Sequence, residues 1–201
     1  MRTADNACMR DYEIRQAFRA ELTCLCANAD PGTLIIDELP ICRHSARADL
    51  AVIDGHLSGY EIKSERDTLR RLEGQKDAYG RVFDYVTVVA TAKHTDGLFR
   101  LVPAWWGLTE AILLGGAIRF QEIRQPAANP QQCPLSMCQL LWRAEALDIL
   151  AARGLAGRMR SQPRRKLWET IAEAVPLHEL RQIIAARLKA RGHWRVARSR
   201  T

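Results

Sequence analysis

Three residues in the stretch RADLAVIDGHLSGYEIKS, positions 47–64, could do chemistry together: Asp49, Glu61 and Lys63. Side chains alternate faces along a strand, so Glu61 and Lys63 leave one face together while Ile62 enters the core on the other. The same alternation puts Arg47, Asp49 and Ala51 on one face, with Leu50 and Val52 opposite. A hairpin loop centred on Gly55 sets Asp49 across from Glu61. A tight two-residue Asp54-Gly55 turn offsets them by one. In the first register two carboxylates and an ammonium converge at a strand end. Close carboxylates repel, and a hard divalent cation relieves that repulsion through oxygen ligands. Mg²⁺ keeps several waters and binds phosphate oxygens, and a neighbouring lysine can orient or deprotonate an acidified water. The chemistry this trio suits is phosphodiester hydrolysis. Alone, a D…ExK triplet equally describes a salt bridge on a strand edge. The apolar residues between these charges, and Gln75 and Tyr79 one turn apart on the following helix, favour a site.

The elements that must position these residues follow from periodicity. Tyr12 to Ala27 has helical spacing, with Ile14, Phe18, Leu22 and Leu25 or Cys26 on one stripe. Asp30-Pro31-Gly32 ends that helix. Short strands are expected at Thr33–Ile36, Ala48–Ile53 and Tyr60–Ser64. Asp67 reads as the N-cap of a helix through Leu69, Leu72, Lys76, Tyr79 and Val82. Tyr85–Ala90 is apolar and β-branched, a buried central strand. Phe99–Val102 reads as a fifth strand and Ile118–Ile123 as an edge strand. Residues 125–134 (QPAANPQQCP) have linker composition. Three amphipathic helices follow, at Leu135–Arg153, Pro163–Val175 and from Pro176 or Leu177 to Arg191, with prolines where a first turn tolerates them. The expected organisation is an α/β core over 1–124, a linker at 125–134 and a basic helical subdomain over 135–201.

The chain has 201 residues, 47% of them hydrophobic and 26% charged, which excludes full disorder and fibrous repeats. No apolar run approaches the ~18 residues of a membrane helix, and the N-terminus has no apolar signal region, so we expect a soluble cytoplasmic protein without a membrane partner. The net charge of +7 is uneven: residues 151–201 hold 13 Lys and Arg against 3 Asp and Glu, a net of +10. Such a basic third suits a polyanion, or is simply a solvated helical surface. Six cysteines, Cys8, Cys24, Cys26, Cys42, Cys133 and Cys138, form no CxxC pair. We read them as buried free thiols rather than a zinc site.

With these motifs in place, the chain resembles the PD-(D/E)XK nuclease superfamily in its RecB-like form, which carries a Gln-x-x-x-Tyr helix. More narrowly, RADLAVIDGHLSGYEIKSERDTLRRLEGQKDAYGRVFDYVTVV, LVPAWWGL and RSQPRRKLWETIAEAVPLHELR are similar to a group of bacterial and prophage proteins known by a locus-tag name. The resemblance implies a restriction-endonuclease-like core in the order αβββαβ, a mixed sheet flanked by helices. It implies a Mg²⁺-dependent deoxyribonuclease, with Mn²⁺ able to substitute. Asp49 and Glu61 match the metal ligands, the Ile62 carbonyl a third, and Lys63 the catalytic lysine. Gln75 and Tyr79 match the helix that supports the site and DNA. The superfamily often adds an upstream glutamate, for which Glu13 and Glu38 are the alternatives. The proline of the motif's name is absent, since Arg47-Ala48 precedes Asp49. A catalytically silent nucleic-acid- or protein-binding module, or an interaction subunit of a prophage or defence system, is the alternative function, with a protein partner in that system.

Other residues carry weaker expectations. Arg47 either holds phosphate or pairs with Asp49 or Glu61. Ser64 serves the turn toward Asp67. His44, before the site strand, and His56, in the hairpin, are read as loop histidines without a role. Trp105 and Trp106 are read as core more than as stacking surfaces. Arg164, Arg165 and Lys166 at a helix start oppose the helix dipole, which points to a bound anion, here DNA. The two last helices, joined by a very short turn, also allow a helix-turn-helix arrangement.

Overall fold

The computed structural model describes residues 9–30 and 32–191. Pro31, Cys8 and the last ten residues lie outside them. The chain runs α1 (Asp11–Ala29), β1 (Leu34–Ile41), β2 (Ala46–Ile53), β3 (Leu57–Lys63), α2 (Arg70–Val82), β4 (Tyr85–Thr91), α3 (Thr95–Leu101), β5 (Gly107–Leu114), β6 (Ala117–Arg124), α4 (Pro134–Cys138), α5 (Arg143–Ala152), α6 (Arg164–Ala174) and α7 (Leu177–Ala190). The six strands form one mixed sheet in sequence order. β3, β4 and β5 are parallel, and β1–β2, β2–β3 and β5–β6 are antiparallel. The α/β architecture agrees with the strand and helix periods, and the mixed sheet flanked by helices with the layout that the resemblance implied.

Each face of the sheet buries a separate apolar cluster. On one, Ile14, Phe18 and Leu22 of α1 meet Leu50, Val52, Ile62 and Val89, with Cys26 packed alongside. Leu25 is exposed, so Cys26 continues the α1 stripe. On the other, α2 packs Leu72, Tyr79 and Val82 against Ala51, Ile53, Val86 and Val88, together with Trp168 and Ile171 of α6 and Leu180, Ile184 and Leu188 of α7. The C-terminal helices thus share their core with the sheet. Each such large side chain contributes about 1.5–3 kcal/mol by leaving water. The segment read as a linker is strapped to the body. Asn129 donates through Nδ2 to the Gly80 and Phe83 carbonyls, and Cys133 N–H to the Arg81 carbonyl.

Several expected elements differ. Residues 99–102 belong to α3 and its end rather than to a strand. Leu98 and Val102 are buried four apart while Phe99 is exposed, a helical pattern. The fifth strand is instead β5, joined to β6 through Gly115-Gly116, both at positive φ (58° and 80°). That is the backbone a two-residue hairpin turn requires. The helix expected over 135–153 is two, because the chain turns at Leu140-Leu141 and Glu145 then accepts the Trp142 N–H at 2.7 Å to start α5. α2 starts at Arg70, and Asp67 is not its cap. The Asp67 carboxylate accepts instead from the Ser64 N–H at 2.8 Å and the Ser64 hydroxyl at 2.6 Å, closing the turn after β3. Of the five described cysteines all are free, and Cys138 is buried but Cys24 is exposed, so burial is not general.

Candidate active site at the end of strands β2 and β3

The β2–β3 ladder pairs Ile53 with Leu57 and ends at Leu50 with Tyr60. The hairpin loop is therefore three residues centred on Gly55, and the next position in register sets Asp49 across from Glu61. β3 continues beside β4 as far as Lys63 opposite Ala90. Asp49, Glu61, Ile62 and Lys63 thus line the floor of a cleft of about 1030 Å³ whose rim includes Asp11, Arg15, His44, Arg66, Asp67 and Gln75.

A backbone irregularity aims Asp49 into this cleft. Glu38 on β1, which would pair with it, sits at φ 58°, and β1–β2 pairing skips both residues. A left-handed glutamate costs on the order of 1 kcal/mol or more. The strict alternation expected for β2 slips by one there. Ala46 and Ala48 join the same cluster as Ala51 and Ile53, so Arg47 does not share the face of Ala51. Its side chain is 62% exposed and pairs with Glu38 rather than with Asp49 or Glu61.

The hydrogen bonds form one network. Lys63 Nζ donates to Glu61 Oε1 at 2.5 Å, and both side chains are buried. The Tyr79 hydroxyl donates to Glu61 Oε2. Tyr79 is held by rings of Phe83 and Trp106 at 5.3 and 5.6 Å. With its amide oriented to satisfy both ends, Gln75 donates to Glu61 Oε1 and the Arg71 carbonyl, each at 3.2 Å. The Ile62 N–H donates to Asp49 Oδ2 at 2.8 Å, and Arg15 to Asp49 Oδ1 at 3.1 Å. Ile62 borders the cleft while its side chain lies in the α1-side core. Burial and the charge of Glu61 push the Asp49 carboxyl up to about 7, against the pull of Arg15 and the Ile62 N–H. Burial, with Glu61 and Asp49 nearby, raises the Tyr79 hydroxyl well above its usual value. Burial also raises Asp11, which Arg15 opposes. Burial opposes but does not outweigh the Ser64 hydrogen bonds and Lys63, which leave Asp67 below the usual carboxylate range.

Neither upstream glutamate lines the cleft. Glu13 turns back to accept the Arg10 N–H at 2.7 Å. Glu38 lies between Arg15 and Arg47. The α1 carboxylate on the rim is Asp11, which sequence reading passed over along with Arg15. Asp11, Arg15 and Arg19 recur every four residues along the edge of α1, a polar stripe whose spacing was readable. Arg15 meets Asp11, Glu38 and Asp49 together. Arg164, Arg165 and Lys166 stand away from the cleft. Arg165 pairs with Glu169, and Arg164 lies over the Trp168 ring at 4.8 Å. Trp106 is fully buried, His56 is exposed, and His44 lies on the cleft rim at φ 69°.

Among the described residues, no three His, Cys, Asp or Glu side chains gather as an all-protein metal cage. Asp49 and Glu61 form a two-carboxylate set, the kind Mg²⁺ uses when it keeps waters and shares phosphate oxygens. Burial first and the charge of Glu61 second raise the Asp49 carboxyl, and a cation beside it would oppose both. Asp49 and Glu61 are the residues that could hold a hard divalent ion, in place of the Arg15 and Lys63 cations they now meet.

Residues 11–197 match the family described as Bacteriophage P4 protein cII. The chain belongs to that family. Protein cII of Enterobacteria phage P4 is 29% identical over 159 residues, covering 79% of this chain and 60% of that protein. This cII-family chain therefore spans about three fifths of its relative's length. Among solved structures, a protein of unknown function from Silicibacter pomeroyi aligns over 93% of this chain and 97% of its own, with a TM-score of 0.43 and 15% identity. No helix among the described residues is long and apolar enough to cross a membrane.

Proposed function

We propose that this cII-family chain hydrolyses phosphodiester bonds of DNA with Mg²⁺, or Mn²⁺ in its place, held by Asp49 and Glu61 and by the Ile62 carbonyl. The observation that supports the reading is Asp49, Glu61 and Lys63 meeting in one cleft with Gln75 and Tyr79 behind Glu61. That is the set the PD-(D/E)XK resemblance names. A divalent ion held there would supply Lewis acidity to the phosphate and acidify a water.

The chain's own groups do the rest. Tyr79 and Lys63 donate to opposite oxygens of Glu61 and fix its plane. The Ile62 N–H fixes Asp49. Lys63 Nζ, three donors on a stem, holds Glu61 with one and has others for the attacking water or a phosphate oxygen. Arg66 and Arg71 on the rim offset the charge of an approaching backbone. The test is incubation of the purified chain with Mg²⁺ or Mn²⁺ and labelled linear, circular, branched and single-stranded DNA. We expect cleavage that EDTA stops and Lys63→Ala abolishes. Absence of metal-dependent cleavage on the whole panel overturns the reading.

A second reading is a non-catalytic module of a phage system, binding nucleic acid or a protein. Arg15 favours it: its guanidinium already neutralises Asp49, Asp11 and Glu38. In that case Asp49 is one end of a structural ion cluster.

A further inference from the structure

A second depression of about 350 Å³ opens beside the cleft and shares Pro40 and His44 with it. Its lining includes Arg43, His44, Trp142, Arg164, Trp168 and Arg191. Trp142 is a large indole left 57% exposed. It is exposed but held: Arg191 lies over its ring at 4.3 Å. Arg191 is itself fixed by Glu145 at 2.6 Å and the Leu140 carbonyl at 2.6 Å. The Trp142 N–H is tied to the same glutamate. An aromatic ring immobilised in solvent at the cost of a buried ion pair is a platform rather than a packing remnant. Arg43 and His44, which line the same depression, follow Cys42 in a run of three consecutive non-glycine residues at positive φ (47°, 56° and 69°). Such a run costs energy at each residue and persists where the chain must present particular side chains. What it presents here is a guanidinium and an imidazole at the junction of the two depressions.

We infer that this groove binds a single-stranded polynucleotide leaving the Asp49–Glu61 cleft, with a base stacked on Trp142 and the backbone against Arg43 and Arg164. The assignment rests on the nuclease or nucleic-acid reading of the cleft and names the strand form it takes. Three features select that ligand. The depression is near the lower end of small-ligand sites, roughly 300–1,000 Å³, which suits nucleotide-sized units one at a time and not a duplex. An indole can stack only on a base released from its partner, as in single strands. Arg43 and Arg164 line the same depression as that indole, so charge and stacking act on one strand. His44, on the shared rim, is where the strand passes from one depression to the other.

The test is fluorescence anisotropy in EDTA, so that cleavage plays no part, with labelled single-stranded DNA, single-stranded RNA and a blunt DNA duplex of equal length. The full chain is expected to prefer either single strand over the duplex. Trp142→Ala should weaken single-strand binding about tenfold, a typical loss for one stacked base, and Trp142→Phe should restore most of it. Arg43→Glu should weaken it and lower its salt dependence. Thermal unfolding of each variant separates lost binding from lost fold, and Trp142→Phe keeps the test open if the alanine variant is unstable. Equal binding by wild type and both Trp142 variants, or a preference for duplex, overturns the groove even if Mg²⁺-dependent cleavage is observed. Trp142-dependent single-strand binding without any cleavage keeps the groove and removes the nuclease.

Discussion

The main-chain N–H of Ile62 donates to the Asp49 carboxylate at 2.8 Å, so the residue after Glu61 is tied to the carboxylate that faces Glu61. The separation of the two acids is thereby set by the backbone of β3 rather than by free rotamers, the kind of preorganisation a metal or transition state rewards. Burial, and then the charge of Glu61, hold the Asp49 carboxyl above its usual range.

Asp49→Asn follows from that relationship. Asparagine keeps an oxygen for the Ile62 N–H and removes a charge that Glu61 repels. We expect a folded protein with a thermal midpoint at pH 8 equal to or above wild type. Mg²⁺ affinity should fall at least tenfold, and DNA affinity in EDTA should be unchanged or raised. Calorimetric Mg²⁺ titration and a binding isotherm measure both, and unchanged Mg²⁺ affinity counts against the metal role of Asp49.

Lys63→Ala should be less innocent than a surface change. Lys63 and Glu61 are 6% and 2% exposed, and removing one partner of a buried pair leaves the other uncompensated. Such losses are about 3–5 kcal/mol, and Tyr79 and Gln75 keep Glu61 hydrogen-bonded, so we expect the lower end, about 3 kcal/mol in denaturant unfolding. Cleavage should drop by at least about 10²-fold, the lower range for one proton-transfer group. A variant of wild-type stability places Lys63 in solvent, contrary to its position here.

Much of this site could be read from residues, because strand alternation and a one-turn helix spacing are local. The register of Asp49 against Glu61 needed only the loop length. What could not be read depends on non-local packing. The left-handed Glu38 and the slip of β2 come from β1–β2 pairing, and no residue type at position 38 signals it. The polar stripe Asp11, Arg15, Arg19 was visible but looks like any solvated helix face until the sheet edge lies under it. Gly115-Gly116 is a two-residue hairpin signal in the sequence, and it places β5 before the edge strand. The basic C-terminal helices look detachable by charge. Their apolar faces, Trp168, Ile171, Leu180, Ile184 and Leu188, complete the core, so cutting the chain after Arg153 removes part of the fold along with its cations.

The Glu145–Arg191 pair gives a pH-dependent prediction. Burial works to raise Glu145, but hydrogen bonds from Arg191 and the Trp142 N–H, with the charges of Arg191 and Arg187, outweigh it and leave Glu145 below its usual 4.5. A carboxylate depressed in the folded state adds stability above its unfolded value, and loses it as pH falls through the folded value. Wild type should therefore melt higher than Glu145→Gln at pH 7, with the gap closing as pH drops below about 4.5. Thermal midpoints across pH 3–7 for the two proteins check this. A constant gap means that the glutamine variant loses packing or cap geometry rather than charge.

Arg15 separates the two functional readings. Its guanidinium meets Asp11, Glu38 and Asp49, so Arg15→Gln leaves three carboxylates with one cation fewer. In EDTA the variant should be less stable than wild type under either reading, by about 1–3 kcal/mol for charged hydrogen bonds lost in a half-buried place. Millimolar Mg²⁺ then decides. If Asp49 and Glu61 are a metal site, the arginine has been competing with the ion, and its removal raises Mg²⁺ affinity. Ligand linkage then returns stability in proportion to the logarithm of Mg²⁺ over its dissociation constant, so the thermal midpoint of Arg15→Gln rises with Mg²⁺ more steeply than that of wild type. Adding Asp49→Asn should cancel the rise. If the cluster is a structural ion network, Mg²⁺ returns nothing beyond the weak screening that an equal ionic strength of NaCl also gives. Equal midpoints in Mg²⁺ and in matched NaCl for Arg15→Gln would therefore leave the non-catalytic module as the function of this cleft.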